Sequence, residues 1–467
     1  MQTRANKLTS DKQLIEAMSL SELASEMEAT MIGGEAQFAH LSTDTRTLQA
    51  GDAYLALKGE HFDGHAFVAA AEQAGASALI VEREQQTTRP QLLVPDTHVA
   101  LGDIARLNRQ RSSATVLALT GSQGKTTVKE MTYSILADKA ETLATIANLN
   151  NTIGVPLTLL RIEPQHTFAV IEMGANKARE IAFSVSVTQP DVALITNANA
   201  AHVEGFGSLQ GIVEAKGEIL DALSADGVAV LNADDPNVAQ WQARASQCRQ
   251  LTFSARESGE ADFSAKNIEV NSAGKVSFCL SCAHGEVDIQ LPLLGKHNVS
   301  NAMAAATAAM AAGAGLENVK AGLEKVRAVS GRLNELAGLS GSVLIDDSYN
   351  ASPASFFAAI DVLAQTAGQQ ILIVGDMKEL GDESEESHRQ VGRYAAKKNI
   401  DQLWVTGEFA STVATAFGNS AQVFQDKDQM LEAARDIAAE DVVFLVKGSR
   451  GSQMETIVSG LSAEGEG

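Results

Sequence analysis

The octapeptide Thr120–Thr127, TGSQGKTT, stands directly between an apolar, β-branched run, ATVLALT, and a helix-forming stretch, VKEMTYSILAD. A strand that runs through a glycine-bearing loop into a helix has the local geometry of a phosphate loop. Small residues let backbone amides wrap an anion, the helix N-terminus adds its dipole, Lys125 reaches terminal phosphates, and the Thr126 hydroxyl can ligand Mg²⁺. The general pattern has a glycine five residues before Gly124. Here that position is Leu119, and the first glycine comes at Gly121. The shorter TGxxGKT loop belongs to a narrower set of proteins than the general motif. A plain glycine turn is the alternative, and the strand–loop–helix context argues against it.

The alternation around this loop extends through the chain. TFAVIEMG, DVALITNA and GVAVLNADD are nearly continuous apolar runs with helix-forming sequence between them, the signature of a parallel sheet covered on both faces. Between Ala261 and Leu294 the period changes to alternation in KNIEV, KVSFCL and EVDIQL, with a turn at Asn271–Gly274, which predicts an antiparallel addition. The Ala-rich run Ala302–Ala312 falls short of the ~20 residues a membrane helix needs and reads as a buried helix. Upstream, AYLAL, SALIVE and QLLVP with the helical stretch GHAFVAAAEQAGA predict a small α/β module ending near residue 108. After Val329–Gly331, the runs SVLIDDS, QILIVGD, DQLWVTG and DVVFLVKG start the alternation afresh, as an independent doubly wound, Rossmann-like domain. The expectation is an α/β chain of three domains, 1–108, 109–329 and 330–467, the count that 467 residues also suggests. The acidic tail Ala463–Gly467 is expected to fray.

Composition removes several function classes. Aromatics are 4% of the chain and 36 basic residues face 58 acidic ones, a net charge of −22, so nucleic-acid binding is not expected. An acidic chain that binds phosphates must use backbone amides, a metal and a few placed cations. Three cysteines make no disulfide framework, and the N-terminus has no continuous apolar segment, so a cytoplasmic protein without membrane insertion is expected. Cys279 and Cys282 form one CxxC in a run with strand character, where pleating points the pair to opposite faces. No second CxxC follows to complete a zinc site.

The carboxyl ends of strands neighbouring a phosphate loop decide its chemistry. Glu172 ends TFAVIEMG, His202 follows DVALITNANAA, and Lys216 lies in EAKGEIL. Glu and His there are competent metal and phosphate-side ligands; each alone is more often a cap or a solvated loop residue, and it is their joint placement after successive strands that favours the ligand reading. The amide-rich stretch Asn148–Pro156, NLNNTIGVP, can hold an anion with neutral donors or be a capped turn. Asn350 and Ser352 sit in a polar loop after SVLIDDS that can bind a polar ligand or be an ordinary Asn-Ser-Pro turn. Lys447–Arg450, KGSR, is a further polar cluster or a surface loop.

TGSQGKTT, NLNNTIGVP, EMG, NANAAHVEGFGS, EAKGEI, GKHNVSNAMAA, SGR, DDSYNASP and GDMKELG occur in the order found in the Mur ligase family, which the chain resembles from about residue 118 to 381. The N-terminal STDTRTLQAGDAYLALKGEHFDGHAFV resembles that family's uridine-nucleotide module. The resemblance implies an ATP-dependent ligase that activates a carboxylate as an acyl phosphate and joins it to an amine. It implies that Gly121, Ser122, Gln123, Gly124, Lys125, Thr126 and Thr127 bind ATP, with Lys125 on the β/γ phosphates. Thr126 and Glu172 would hold one Mg²⁺ and His202 a second, supported by Lys216 as a carbamylated lysine, so that Lys125, Lys216 and His202 are the catalytic set. His297, Asn298 and Asn301 match the adenine side of GxHNxxN, and Arg332 and Asp347 the α-phosphate and ribose contacts. Ser42, Asp44, Thr45 and Arg46 match the uridine-nucleotide site, with Thr45 where relatives usually have Ser. DDSYNASP, GDMKELG and KGSR resemble the member that adds D-alanyl-D-alanine to UDP-N-acetylmuramoyl-tripeptide, which implies Asn350, Ser352, Lys447, Ser449 and Arg450 for the amine substrate. A monomer is expected. The rival readings are another ligase of the family, including folylpolyglutamate-type enzymes, a P-loop switch or transport NTPase, and a non-catalytic nucleotide-binding module.

Overall fold

A computed structural model describes residues 13–59, 62–199, 203–257, 260–378 and 380–463. His202 and the tail beyond residue 463 lie outside them. Three sheets follow one another along the chain. The first contains β1 (Gln13–Ser19), β2 (Thr30–Ile32), β3 (Gln37–Ser42), β4 (Ala53–Leu55), β5 (Ala78–Val81) and β6 (Gln91–Leu93), in the order β1-β3-β4-β5-β6-β2. Its middle is parallel and both edges are antiparallel.

The central sheet has β7 (Thr115–Thr120), β8 (Thr142–Ala144), β9 (Phe168–Glu172), β10 (Val192–Ile195), β11 (Val228–Asn232), β12 (Arg249–Ser254), β13 (Phe263–Val270), β14 (Lys275–Cys282) and β15 (Gly285–Leu294). Their order is β15-β14-β13-β12-β11-β10-β7-β9-β8. β8 to β13 run parallel, and every residue of β9, β10 and β11 is buried, as strands covered on both faces must be. β13, β14 and β15 form the antiparallel addition, turned at Asn271–Gly274 by the bond from Gly274 N to Asn271 O. In β14 Cys279 is buried, Cys282 is half-buried, and both are free thiols. The Ala-rich run lies in the helix His297–Ala311, with Ala302 to Ala309 buried.

The third sheet holds β16 (Asn334–Ala337), β17 (Val343–Asp347), β18 (Gln369–Val374), β19 (Gln402–Val405), β20 (Ala421–Val423) and β21 (Val442–Lys447), in the order β16-β17-β21-β18-β19-β20 and parallel except at β16. Among the described residues no helix is long and apolar enough to cross a membrane.

The join between the first two sheets is packed rather than a loose linker. The helix Thr97–Gln110 carries Asn108, fully buried, whose Oδ1 accepts from Ile15 N at 2.9 Å while its Nδ2 donates to Leu159 O at 3.0 Å. His98 on the same helix touches the Phe183 ring, with centroids 4.9 Å apart, and bonds Thr152 O at 3.0 Å.

The helix Lys125–Lys139, which carries the phosphate loop, is held from behind by the helix Leu316–Lys325. Ser134 Oγ donates to Gly322 O at 2.7 Å, and Lys325 Nζ to Asp138 Oδ1 at 2.9 Å. A Cβ at Gly322 would lie 2.4 Å from Ile135 Cα, so only glycine permits this approach. Gly322→Ala is expected to destabilise the central domain by about 1–3 kcal/mol, the usual penalty of overpacking. Denaturant unfolding followed at the buried Trp241 checks this, and an unchanged midpoint would contradict the packing.

Candidate active site

The phosphate loop is fixed by close contacts with its protein neighbours. Gly124 precedes the helix with φ +78°, a left-handed conformation that glycine adopts without strain, and a Cβ there would sit 2.3 Å from Asn301 Oδ1. A Cβ at Gly121 would fall 1.9 Å from Thr196 Oγ1. The carboxyl end of β10 therefore grips one side of the loop and the helix His297–Ala311 the other. Thr196 Oγ1 donates to Gln123 O at 2.7 Å, Asn197 Oδ1 accepts from Gln123 N at 3.0 Å, and Ser122 Oγ donates to Asn199 O at 3.0 Å. Lys125 Nζ folds back on the loop, donating to Gly121 O at 2.6 Å. Its ammonium is crowded by protein although the side chain is only half-buried, and that desolvation holds its pKa down to about 8, with Glu172 opposing the shift and Arg332 adding to it.

Glu172 ends β9 with 1% of its surface exposed. Its Oε1 accepts from Thr126 Oγ1 at 3.2 Å and from Asn150 Nδ2 at 2.8 Å, while its buried Oε2 has no hydrogen-bond partner among the described residues. A buried carboxylate oxygen left open beside a threonine hydroxyl at a phosphate loop is a donor set suited to Mg²⁺, which prefers one or two carboxylates completed by water and phosphate oxygens. Lys216, on the helix Leu209–Gly217, is 4% exposed. Burial pushes its amine down to about 7, nearby Lys125 pushes the same way, and Glu218 and Glu180 oppose them. Its Nζ lies 5.5 Å from the centroid of the Phe206 ring.

A cavity of about 470 Å³ opens from the loop toward the third sheet. Ser122, Gln123, Gly124, Thr127, His297, Asn298 and Asn301 form its central-domain side, and Arg332, Asp347, Asn350, Ser352, Lys447, Ser449 and Arg450 its third-domain side. Asn301 Nδ2 donates to Asn298 Oδ1 at 2.8 Å, and Asn298 Nδ2 to Leu294 O at 2.8 Å. Among the described residues one direct side-chain bond crosses the cavity, from Gln123 Nε2 to Ser352 Oγ at 3.1 Å. Ser352 is also the N-cap of the helix Pro353–Leu363.

Several third-domain residues are engaged with one another. Lys447, 1% exposed, donates to Asp347 Oδ2 at 2.6 Å and to Asn350 O at 3.0 Å, so its charge is compensated inside the protein. Burial pushes the Asp347 carboxyl up, and Lys447 works against that shift. Ser449 Oγ donates to Asp376 O at 2.7 Å. The Arg332 guanidinium lies 4.5 Å from the centre of the Tyr349 ring, and that of Arg450 5.9 Å from it.

The N-terminal candidates stand apart from the residues that line this cavity. In the loop after β3, Ser42 Oγ donates to Asp44 O at 3.0 Å and Arg46 Nε to Asp44 Oδ1 at 2.9 Å; Thr45 between them is half-buried, and the Arg46 side chain is 87% exposed. Sequence reasoning did not single out Asn150, Thr196, Asn197, Tyr349 or Lys378 individually. Asn150 lies in NLNNTIGVP, Asn197 opens NANAAHVEGFGS and Thr196 immediately precedes it, so the motifs marked the neighbourhood without saying which side chain turns inward.

Three family models match the chain: "Mur ligase family, catalytic domain" over residues 37–109, "Mur ligase middle domain" over 119–309, and "Mur ligase, glutamate ligase domain" over 331–450. A relative from Escherichia coli K12, the UDP-N-acetylmuramoyl-tripeptide–D-alanyl-D-alanine ligase, is 45% identical over 96% of this chain and 99% of its own length. A crystal structure of MurF from Acinetobacter baumannii superposes with a TM-score of 0.89 at 37% identity, covering 95% of this chain and 98% of that one. MurF from Thermotoga maritima, solved in complex with ADP, gives 0.81 at 28% identity, covering 90% of this chain and 96% of that one. With the phosphate loop, the buried Glu172 and the cavity shared with the third sheet, these matches make the chain a member of the Mur ligase family.

Proposed function

We propose that this chain joins D-alanyl-D-alanine to the terminal carboxylate of UDP-N-acetylmuramoyl-tripeptide with ATP, releasing ADP and phosphate, in the synthesis of the cell-wall precursor. The observation that carries the reading is the single cavity running from the phosphate loop to DDSYNASP and KGSR, which lets a phosphorylated carboxylate and an incoming amine meet. Segments 1–108, 109–329 and 330–467 divide the work: uridine nucleotide at Ser42, Asp44, Thr45 and Arg46; ATP in the middle; the dipeptide in the third. A cytoplasmic monomer fits a reaction that consumes ATP.

The tripeptide carboxylate attacks the γ-phosphorus, the bond to the ADP oxygen breaks, and an acyl phosphate forms. The dipeptide amine then attacks the acyl carbon, loses a proton, and phosphate leaves. The protein's share is position and electrostatics. The loop amides cradle the phosphates, and Lys125 exchanges its contact with Gly121 O for the β/γ oxygens. His297, Asn298 and Asn301 face the adenine, and Arg332 and Asp347 the α-phosphate and ribose. Asn350, Ser352, Ser449 and Arg450 meet the dipeptide, with Lys447 holding Asp347 and the Asn350 carbonyl in place. Thr126 and Glu172 would hold one Mg²⁺, and His202 with carbamylated Lys216 a second; metal bound there would offset charge on the transferring phosphoryl group. The depressed Lys216 pKa supports the carbamate, because only a neutral amine adds CO₂.

ADP release is expected to require both the UDP-tripeptide and D-alanyl-D-alanine. Equal release without the dipeptide would leave an NTPase and no ligase. Lys216→Ala should lose at least about tenfold in turnover, in the range seen when groups supporting a metal are removed. Small carboxylic acids should restore part of it. The neutral amine fraction grows as pH rises through about 7, so the carbamate signal of protein in ¹³C-bicarbonate should grow across that range and be missing in the variant. A full-strength signal in Lys216→Ala would refute the carbamate. Gln123→Ala and Ser352→Ala should each cost about 0.5–1.5 kcal/mol in kcat/KM for the dipeptide, and the double variant less than their sum. Strict additivity would show that the bond between the two domains does not couple them.

A further inference from the structure

D-Alanyl-D-alanine is a zwitterion. If its amine faces the phosphate loop, its carboxylate needs a cation on the third-domain side of the cavity. Five Lys or Arg side chains line the cavity: Arg327, Arg332, Lys378, Lys447 and Arg450. Four are accounted for. Arg327 stands on the central-domain side of the hinge, just past the helix Leu316–Lys325. Arg332 lies over Tyr349 and faces the nucleotide in the reading above. Lys447 is bonded to Asp347 Oδ2 at 2.6 Å and to Asn350 O at 3.0 Å. Arg450, which meets the dipeptide in the reading above, shares its charge with Glu455, whose Oε1 is 3.3 Å from Nη1.

Lys378 is the third-domain cation that these assignments leave over. Among the described residues no carboxylate or carbonyl pairs with it, and its side chain is exposed at the cavity wall. Its root is nevertheless rigid. Met377, 1% exposed, donates its backbone N–H to His388 Nε2 at 2.9 Å, and His388 is itself 1% exposed. The Asp376 carboxylate accepts from Glu408 N at 2.9 Å and Phe409 N at 3.2 Å, while Asp376 O accepts from Ser449 N at 2.9 Å. The lysine stem passes over Gly451, where an added Cβ would meet Lys378 Cγ at 3.6 Å. A fixed backbone thus presents to the cavity, beside the KGSR segment, an ammonium that no group among the described residues pairs with.

We propose that Lys378 is the specificity residue that receives the terminal carboxylate of the incoming dipeptide. This rests on the ligase reading above and adds to it the group that tells a free dipeptide acid from a neutral analogue. A hydrogen bond to a charged partner in a partly desolvated site corresponds to a discrimination of about 10- to 100-fold.

Steady-state kinetics with D-alanyl-D-alanine and with its C-terminal amide, on wild type, Lys378→Met, Lys378→Arg and Arg450→Met, test the assignment. Wild type should lose about 10- to 100-fold in kcat/KM on the amide, chiefly through KM. Lys378→Met should raise KM for the acid by a similar factor and use acid and amide alike, with kcat and the KM values for ATP and UDP-tripeptide little changed. Lys378→Arg should recover part of the discrimination, which a merely structural role would not produce. The assignment is overturned if Lys378→Met still discriminates like wild type, if Arg450→Met alone abolishes discrimination, or if wild type uses acid and amide equally. Wild-type ADP release that needs no dipeptide would instead remove the ligase reading, and the assignment with it.

Discussion

Glu172 ends β9 at 1% exposure, and an anion buried there is tolerable only because neighbouring elements bring donors and positive charge to it. The donors are the Thr126 hydroxyl, from the start of the phosphate-loop helix, and the Asn150 amide, from the polar loop before Pro156. Both reach the same oxygen, which leaves Oε2 open. The field of this carboxylate also acts on Lys125, working against the desolvation that pulls its pKa toward 8. Burial holds the Lys216 amine down to about 7, and the positive charge of Lys125 adds to that shift. One buried carboxylate with two lysines held below the ordinary lysine range is therefore the electrostatic core of the central domain, and a metal at Oε2 would complete it rather than add to it.

The third domain meets this core with its own charge already compensated. The Lys447–Asp347 pair spans the carboxyl ends of adjacent parallel strands β21 and β17, where Asp347 and Lys447 are register partners. A buried pair of this kind contributes little net stability, and its value lies in fixing the loop that follows. Lys447 also holds the Asn350 carbonyl, two residues before the Ser352 cap that takes the hydrogen bond from Gln123. The route from the phosphate loop to the third sheet is a short chain of hydrogen bonds, so a displacement of the loop is felt at the cap of the helix Pro353–Leu363.

Much of this architecture was legible in the sequence, for reasons visible in the strands themselves. β7, β9, β10 and β11 are buried on both faces and announce themselves as unbroken apolar runs. β2, β8 and β20 have three residues each, too few for any period to show. β1 is masked by an irregularity in its pairing with β3 between Gln13 and Met18, which breaks the alternation that would have marked it. At the site, Gly121, Gly124, Lys125 and Thr126 were readable because a phosphate loop is contiguous in the chain. The pairing of Lys447 with Asp347 was not, because 100 residues separate them and nothing local records their meeting. The same holds for Lys378, whose placement depends on Met377 and Asp376 being held by His388, Glu408 and Phe409 from elsewhere in the third domain.

The charge distribution explains why so many local devices are needed. The chain carries −22 overall, while a nucleotide and its phosphorylated partner are themselves anions. Beyond a screening length of about 8 Å in physiological salt the protein offers such ligands no long-range attraction. Affinity has to arise within the cavity, from loop amides, from Lys125, from Arg332 and from whatever cation completes Glu172. Cations already paired, such as Lys447, add shape rather than attraction, so each uncompensated charge carries more of the recognition. An anion that cannot reach past the negatively charged surface to those few groups gains nothing from them, and selectivity follows from the same scarcity of positive charge that makes the chain acidic.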